Sequence, residues 1–266
     1  MGVINVTPDS FSDGGRYANS AAAVSHALRL VEEGAGLIDV GGESTRPGAQ
    51  GVSAEEEISR VIPVIEALAA RTKVPISIDT SKPAVMTAAV RAGASMINDV
   101  RALREPGALE AAAGTDAAVC LMHMQGEPRT MQAEPRYGDV VAEVCDFLRE
   151  RAAACLASGI AGDRLVVDPG IGFGKRLEHN LALLAGLPAL TGLGWPVLIG
   201  VSRKSMFGVL LGRAVDERVA GGVAVATAAV LAGASIVRTH DVAATVDAVK
   251  VAVALREAGK AVGCRQ

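Results

Sequence analysis

Aromatic residues are scarce in this sequence, at 3% of its 266 residues. Half of the residues are nevertheless hydrophobic, so the core must be built from Ala, Val, Leu and Ile. This composition suits strands that are buried on both faces and helices that pack closely over them. A chain of this length can form one large domain or two ordinary ones.

The sequence also lacks paired cysteines, long apolar runs and a strong net charge. Its four cysteines show no paired spacing, which is typical of reduced structural thiols. No apolar stretch approaches the ~18 residues of a membrane span, and the N-terminus has no signal-peptide core. A net charge of −3 gives no electrostatic reason to expect nucleic acid or a membrane as partner. We therefore expect a cytoplasmic protein.

Three similar segments occur at 32–42, 90–100 and 230–240. In each, a helical pattern ends at Gly, a small residue pair follows, and an apolar stretch begins. Gly is the expected residue just past a helix end because it tolerates a left-handed backbone. Units of strand followed by helix indicate parallel βα repeats.

This unit predicts eight strands, at 3–6, 37–40, 76–79, 96–99, 118–122, 165–168, 197–201 and 236–239. Ser53 and Glu56 form a capping box before the second helix, Pro83 lies in the first turn of the third, and the last helix extends to about Ala258. Eight units in roughly 250 residues predict an α/β fold, a single-domain TIM (β/α)₈ barrel over residues 1–266. A doubly wound open sheet is the alternative that periodicity leaves open.

The segment LVVDPGIGFGK, residues 165–175, resembles a phosphate loop at first sight. A P-loop has four residues between its first Gly and the Gly-Lys pair, followed by Ser or Thr. Here Gly170 and Gly174 enclose only three residues, and Arg176 follows the lysine. The dinucleotide-binding pattern fails too, because the third glycine arrives one residue early. We therefore interpret the loop as a tight turn.

Polar residues collect at the predicted strand ends, which in such a barrel form the site. They are Asn5, Asp39, Asp79, Asn98, Asp99, His123, Asp168, Ser202, Arg203, Lys204, Arg238 and His240. Any one of them could be an ordinary turn or cap residue. Together they would cost several kcal/mol in unpaired buried polarity unless they satisfied one another or a ligand.

The mixture of residue types indicates the ligand. Buried carboxylates can accept hydrogen bonds from a guanidine-like ring edge, Asn98 and Lys204 can contact its other atoms, and an Arg can stack on a planar ring. Arg238 and His240 precede the last helix, whose N-terminus favours an anion. Two long glycine-containing loops, 7–20 and 41–53, are predicted to be lids over this mouth.

At these residues the chain resembles the dihydropteroate synthase family. The resemblance runs from Met1 to about residue 255, through MGVINVTPDSFSDGG, DVGGESTRPGA, ISIDTSKP, INDVRAL, CLMHMQG, DPGIGFGK, GVSRKSM and RTHD in the family's order. Family members usually carry a short stretch ahead of this Met-Gly that closes the bottom of the barrel. The resemblance implies condensation of 6-hydroxymethyl-7,8-dihydropterin diphosphate with 4-aminobenzoate, with release of pyrophosphate. It also implies a homodimer, a requirement for Mg²⁺ and inhibition by sulfonamides.

The resemblance further implies roles for individual residues. The pterin would be held by Asp79, Asn98, Asp168 and Lys204, with Met122 lining the pocket. The diphosphate would be bound by Arg238, which also stacks over the pterin ring, and by His240, Asn5 and Thr45. Asn5 would be the protein's direct ligand to Mg²⁺. The aminobenzoate would meet Ser205 near Arg46, Pro47, Phe11 and Phe173. The catalytic residues would be Lys204, Arg238, His240 and Asp79.

The expected mechanism is SN1-like, because the electron-rich dihydropterin can delocalise the cation left when pyrophosphate departs with Mg²⁺ assistance. One alternative is a methyltransferase that uses the same barrel with methyltetrahydrofolate and a corrinoid partner, which would not need Asn5 or the Arg238–His240 anion site. A second is a non-catalytic pterin-binding barrel, which would be expected to lose Lys204 or the lid residues.

Overall fold

The structure is a computed structural model that describes residues 1–7, 15–44, 51–127 and 130–263. Strands and helices alternate along the chain. The strands are β1 (Gly2–Asn5), β2 (Ile38–Gly41), β3 (Ile76–Asp79), β4 (Met96–Asp99), β5 (Ala118–Met122), β6 (Leu165–Asp168), β7 (Leu198–Gly200) and β8 (Ile236–Arg238). All eight predicted strands are confirmed, four of them with the predicted bounds.

The helices over these strands are α1 (Gly15–Glu32), α2 (Ala54–Ala69), α3 (Pro83–Arg91), α4 (Ala108–Ala113), α5 (Val140–Ala157), α6 (Leu177–Ala185), α7 (Leu187–Thr191), α8 (Ser205–Leu211), α9 (Val219–Leu231) and α10 (Val242–Gly263). Pro83 opens α3 as predicted, and Ser53 Oγ caps α2 by accepting from Glu56 N at 3.1 Å. Only this half of the predicted capping box forms among the described residues, because the Glu56 carboxylate pairs with Arg60. The last helix extends to Gly263, beyond the predicted end near Ala258. No helix in the described ranges is long and apolar enough to cross a membrane.

The strands close into a ring. β1 to β6 form one parallel sheet in sequence order, and β7 pairs with β8. Single parallel bridges, Val167 with Val197 and Gly2 with Thr239, join these two sheets at both edges. Val3 N donates to Thr239 O at 3.1 Å across the second junction. The TIM barrel is therefore confirmed, and the open-sheet alternative is wrong because the last strand meets the first.

Three helix ends repeat the same hydrogen-bonded cap. Gly34, Gly93 and Gly233 have φ of 97°, 118° and 100°, the left-handed region in which Gly is unstrained. In each case the next residue's N–H reaches back five positions along the helix, at 2.9 Å. The repeat read from the sequence is thus a capped helix feeding a strand.

A small apolar layer fills the barrel beneath the strand ends. Met96, Cys120, Val166 and Leu198 form a buried cluster. Met96 and Val166 lie two residues before Asn98 and Asp168 on their strands, and alternate residues of a strand share a face. The apolar layer therefore forms the floor below the polar residues. Cys120, Cys145 and Cys155 are free and buried, as predicted for reduced thiols, whereas Cys264 lies outside the described residues.

Candidate active site at the barrel mouth

A half-buried arginine connects three strands at the mouth. Arg238, at the end of β8, donates from Nε to Asp39 Oδ2 at 2.7 Å and from a terminal nitrogen to Asp79 Oδ2 at 2.8 Å. Asn98 Nδ2 donates to the same Asp39 oxygen at 3.2 Å. Asp39 is fully buried, and its Oδ1 has no hydrogen-bond partner among the described residues. These contacts hold the guanidinium plane across the mouth.

The charges in this group perturb one another. Burial raises the pKa of Asp79 to about 7; Arg238 opposes that rise, whereas Asp39 adds to it. Burial disfavours the charged form of Arg238, but Asp39 and Asp79 outweigh burial and raise its pKa above the ordinary value. Arg238 therefore remains a cation, and Asp79 titrates near neutral pH.

Asp168, at the end of β6, and Lys204, after the neighbouring β7, interact electrostatically at the mouth. Asp168 Oδ1 accepts from Gly170 N at 2.7 Å, while Oδ2 has no hydrogen-bond partner in the described part of the chain. Burial raises the pKa of Asp168 to about 6, and the Gly170 N–H and the charge of Lys204 limit the rise. Burial, with Arg238, lowers the pKa of Lys204 to about 8. Its Nζ lies 4.2 Å from the centre of the Phe173 ring.

The glycine loop after β6 is a tight turn, as predicted. Gly170, Gly172 and Gly174 have φ of 66°, 82° and 60°. A Cβ on Gly170 would lie 1.9 Å from His123 O, and one on Gly174 would lie 2.3 Å from Gln125 O. The loop therefore needs glycine because its backbone touches the backbone that follows β5.

The anion site predicted before α10 contains a neutral histidine. His240 Nδ1 and His240 N both lie 3.1 Å from Ser202 Oγ. Burial, helped by the charges of Arg238 and Arg203, lowers the pKa of His240 to about 4. Asp241 is ion-paired with Arg203 at 2.6 Å. His240 can therefore offer an N–H to an anion, and the positive charge there comes from Arg238.

The remaining predicted residues lie at several depths. Asn5 is half-buried at the end of β1, and its side chain makes no hydrogen bond to the residues that the structure describes. Met122 is 4% exposed and belongs to a cluster against which Phe173 packs. Ser205 is exposed at the first position of α8. Phe11, Thr45, Arg46 and Pro47 lie outside the described residues, as do 8–14 and 45–50 of the predicted lids. The prediction of a loop over 7–20 is wrong from Gly15 onward, because helix α1 begins there, and Gly41 of the second predicted loop ends β2.

Comparisons with known proteins decide the family. The model of the family "Pterin binding enzyme" matches residues 1–240. Dihydropteroate synthase of Escherichia coli (strain K12) is 55% identical over 251 residues, 94% of this chain and 89% of that protein. The enzyme of Neisseria meningitidis serogroup B is 54% identical over 262 residues, 96% of this chain and 92% of that protein. The chain belongs to the dihydropteroate synthase family.

Solved structures of dihydropteroate synthases agree with this assignment. The Yersinia pestis enzyme, in a complex with a sulfonamide drug, has a TM-score of 0.92 and 54% identity and covers 97% of this chain and 94% of its own. The Xanthomonas albilineans enzyme with 4-aminobenzoic acid has a TM-score of 0.91 and 57% identity, covering 96% and 92%. The predicted enzyme of folate synthesis is thus confirmed, and neither the methyltransferase nor the non-catalytic barrel is supported.

The sequence does not predict the roles of two groups at this mouth, Asp39 and the buried pair of Glu57 and Lys82. Asp39 was recognised only as a strand-end residue, yet it is the acceptor that both Arg238 and Asn98 use. Glu57 of α2 is fully buried and accepts from Lys82 Nζ at 2.6 Å, while Lys82 also pairs with Glu43. Glu57 lies on the buried face of an amphipathic helix, and that unusual position was the available signal.

Asp99 has a different role from its neighbour Asn98. Its carboxylate accepts from Ser81 Oγ and from the backbone N–H groups of Arg101 and Leu103, both at 2.8 Å. These contacts shape the turn after β4. Because alternate strand residues face opposite sides, only Asn98 points into the mouth.

Proposed function

We propose that this mouth binds 6-hydroxymethyl-7,8-dihydropterin diphosphate and 4-aminobenzoate and joins them to give 7,8-dihydropteroate and pyrophosphate. The observation that supports this most strongly is the Arg238 guanidinium, held between Asp39 and Asp79 and interacting electrostatically with Asp168 and Lys204. The carboxylates of this group offer acceptors for a heterocycle's donor edge, and the guanidinium offers a cation for its face and a positive charge for its leaving group. We treat residues 1–266 as one pterin-binding domain.

The pterin is proposed to lie in the inner half of the mouth. Asp168 Oδ2, which has no hydrogen-bond partner among the described residues, accepts from the ring's amino and N–H donors. Lys204 and Asn98 contact other polar ring atoms, Asp79 contributes a second carboxylate, and Met122 packs against the ring. Arg238 stacks on the exposed face, a geometry that suits a planar guanidinium. A related dihydropteroate synthase, from Xanthomonas albilineans, was solved in complex with the proposed product, 7,8-dihydropteroate.

The diphosphate is proposed to lie nearer the solvent, with Arg238, His240, Asn5 and Thr45. Arg238 supplies positive charge and His240 a neutral N–H, so the leaving group's growing charge meets fixed donors. Asn5 fits a magnesium ligand, because its carboxamide makes no hydrogen bond to the described residues and Mg²⁺ prefers oxygen while keeping several waters. When bound, Mg²⁺ would neutralise part of the charge on the departing diphosphate. Within the described ranges, no group of three or more His, Cys, Asp or Glu could hold a metal by itself.

Bond cleavage is proposed to precede attack. Pyrophosphate leaves with the electron pair of the C–O bond, and the dihydropterin ring delocalises the cation at its methylene. The amine of 4-aminobenzoate then attacks that carbon and loses a proton. Asp79 and Lys204 are proposed to border the ring. The carboxylate of Asp79 stabilises the cation, and the ammonium of Lys204 stabilises the ring's polar atoms. The parts of the predicted lids outside α1 and β2, 7–14 and 42–53, are proposed to exclude water during this step.

The aminobenzoate is proposed to enter beside Phe173 and Ser205. Ser205 is exposed at the start of α8 and can donate to the substrate carboxylate, while Phe11, Arg46 and Pro47 complete the site. The Yersinia pestis and Xanthomonas albilineans enzymes were solved with a sulfonamide drug and with 4-aminobenzoic acid. We therefore propose that sulfonamides compete with 4-aminobenzoate here.

A homodimer is proposed from the surface of the last three helices. Their exposed apolar residues are Val209, Leu210, Leu211, Leu231, Val251 and Leu255, of which Val209 is 70% exposed. Large apolar side chains exposed on neighbouring helices commonly mark a protein interface. We also propose a cytoplasmic location, because the net charge of −3 gives no reason to expect nucleic acid or a membrane as partner.

A crystal structure with 6-hydroxymethylpterin and pyrophosphate tests these placements. We expect the pterin beside Asp168 and Lys204, and pyrophosphate beside Arg238 and His240. Pyrophosphate bound only at Gly170–Lys175 would contradict the proposal and restore a phosphate-loop interpretation.

A further inference from the structure

The lysine that ends the glycine loop points into the protein. Lys175 is 3% exposed, and its Nζ lies 2.9 Å from His123 Nδ1, 3.0 Å from Phe173 O and 3.4 Å from His123 O. An ammonium has three donors, so each proton has an acceptor when His123 carries its own proton on Nε2. Burial and the charge of Lys175 lower the pKa of His123 to about 3, so the imidazole is neutral and can accept.

Lys175 joins the two loops that form one side of the mouth. The loop after β6 (169–176) lies against the segment after β5, where the glycines permit backbone contact with His123 and Gln125. Tyr137 donates to Gly174 O at 2.8 Å, and Gln132 donates to Gly172 O at 2.6 Å. Lys175 adds a charged link at the bottom of this contact, hidden from solvent.

The loop fixed in this way carries Phe173 and follows Asp168, two groups assigned above to substrates. Phe173, whose carbonyl Lys175 holds, places its ring under Lys204 Nζ. Asp168 precedes the same turn, and the charge of Lys175 is one of the interactions that limit the rise of the Asp168 pKa. A single side chain therefore acts on both the wall of the mouth and its central carboxylate.

We propose that Lys175 is a positioning residue of the synthase site: its Nζ fixes Phe173 and the loop after β6 from behind the pocket, and its charge acts on the carboxylate of Asp168. This inference rests on the proposed pterin and aminobenzoate sites. It assigns the Gly-Lys pair of the loop a purpose that involves no phosphate.

The charge effect has a distinct pH signature. The groups that face Asp168 are Lys175, Lys204 from the loop after β7, Arg238 from β8 and the thiol of Cys120 from β5. Burial raises the pKa of Asp168, and nearby cations lower it. Lys175→Met removes one of these cations, so the pKa of Asp168 should rise above about 6. Pterin affinity should then fall roughly threefold or more at pH 6.5. It should match the wild type at pH 8.5, where Asp168 is ionised in both proteins.

The positioning effect does not depend on pH in this way. Loss of the hydrogen bond to Phe173 O frees the wall beside the aminobenzoate, so Lys175→Met should raise KM for 4-aminobenzoate at pH 8.5 as well. Lys175→Gln keeps N–H donors but removes the charge. It should show the acid-side loss of pterin affinity with a KM closer to the wild type.

The experiment is calorimetric titration of the full chain with 6-hydroxymethylpterin from pH 5.5 to 8.5, together with the KM for 4-aminobenzoate. Lys250→Met, an exposed lysine on α10, is the matched control and should behave as the wild type. If the wild type fails to bind the pterin, the proposed function is wrong. If the wild type binds it and both Lys175 variants keep the wild-type pH profile and KM, Lys175 only stabilises the loops and this inference is overturned.

Discussion

At the scale of single residues, the site depends on polar atoms that make no hydrogen bond to the described residues and can therefore bind a ligand. Asp168 uses one oxygen to hold the turn through Gly170 and leaves the other for a ligand. Sequence reasoning could identify Asp168, because an acid that ends an apolar strand before a glycine turn is a local pattern. It could not assign Asp39, since the bond from Arg238 joins residues 199 positions apart and requires the barrel to close.

Asp168→Ala is expected to abolish measurable pterin binding. The substitution leaves the ring's donors without an acceptor, which typically costs ~1–3 kcal/mol and more where a charge is involved. Titration with 6-hydroxymethylpterin measures the loss. Asp163→Ala, at an exposed position before β6, is the control. Undiminished affinity in Asp168→Ala would show that this residue only supports the turn.

At the scale of elements, the barrel follows from repeated local signals. Each cap at Gly34, Gly93 and Gly233 could be predicted because the need for a left-handed residue is local. The bounds of β1, β7 and α10 shifted by a few residues, since strand and helix ends depend on neighbouring elements as well as on propensity. The sequence could exclude a phosphate loop at 170–175, but the contact that requires its glycines belongs to the folded barrel.

Comparison of Gly170→Ala with Gly212→Ala separates the destabilisation caused by this contact from that caused by backbone strain. Both glycines have φ of 66°, so both variants bear the left-handed penalty of about 1–2 kcal/mol. A Cβ on Gly170 would collide with His123 O, whereas one on Gly212 would meet nothing within 4 Å. Denaturant unfolding should therefore show a clearly larger loss for Gly170→Ala. Equal losses would mean that the loop moves away freely.

At the scale of the whole molecule, a polar mouth over an apolar barrel affects stability as well as function. Burial lowers the pKa of Lys175 to about 7, with Lys204 adding to the effect and Asp168 opposing it. Between that value and the ordinary lysine pKa, the unfolded chain binds more protons than the folded one. The contribution of Lys175 to the free energy of unfolding must therefore rise with pH across that window.

Comparison of the wild type with Lys175→Met tests that sign. From pH 7 to pH 9 the free energy of unfolding of the wild type should rise relative to the variant by on the order of 2 kcal/mol. Denaturant titrations at several pH values measure it, and Lys250→Met should keep the wild-type slope. Parallel curves for the wild type and Lys175→Met would show that Lys175 titrates normally despite its burial.

The most direct test of the central claim is pyrophosphate release by the purified protein, supplied with Mg²⁺ and 6-hydroxymethyl-7,8-dihydropterin diphosphate. We predict sustained release that depends on 4-aminobenzoate, yields 7,8-dihydropteroate in equal amount and falls by at least a hundredfold in Arg238→Met, as expected when a fixed charge at the leaving group is lost. Release that is independent of 4-aminobenzoate, or unchanged in Arg238→Met, would contradict the account.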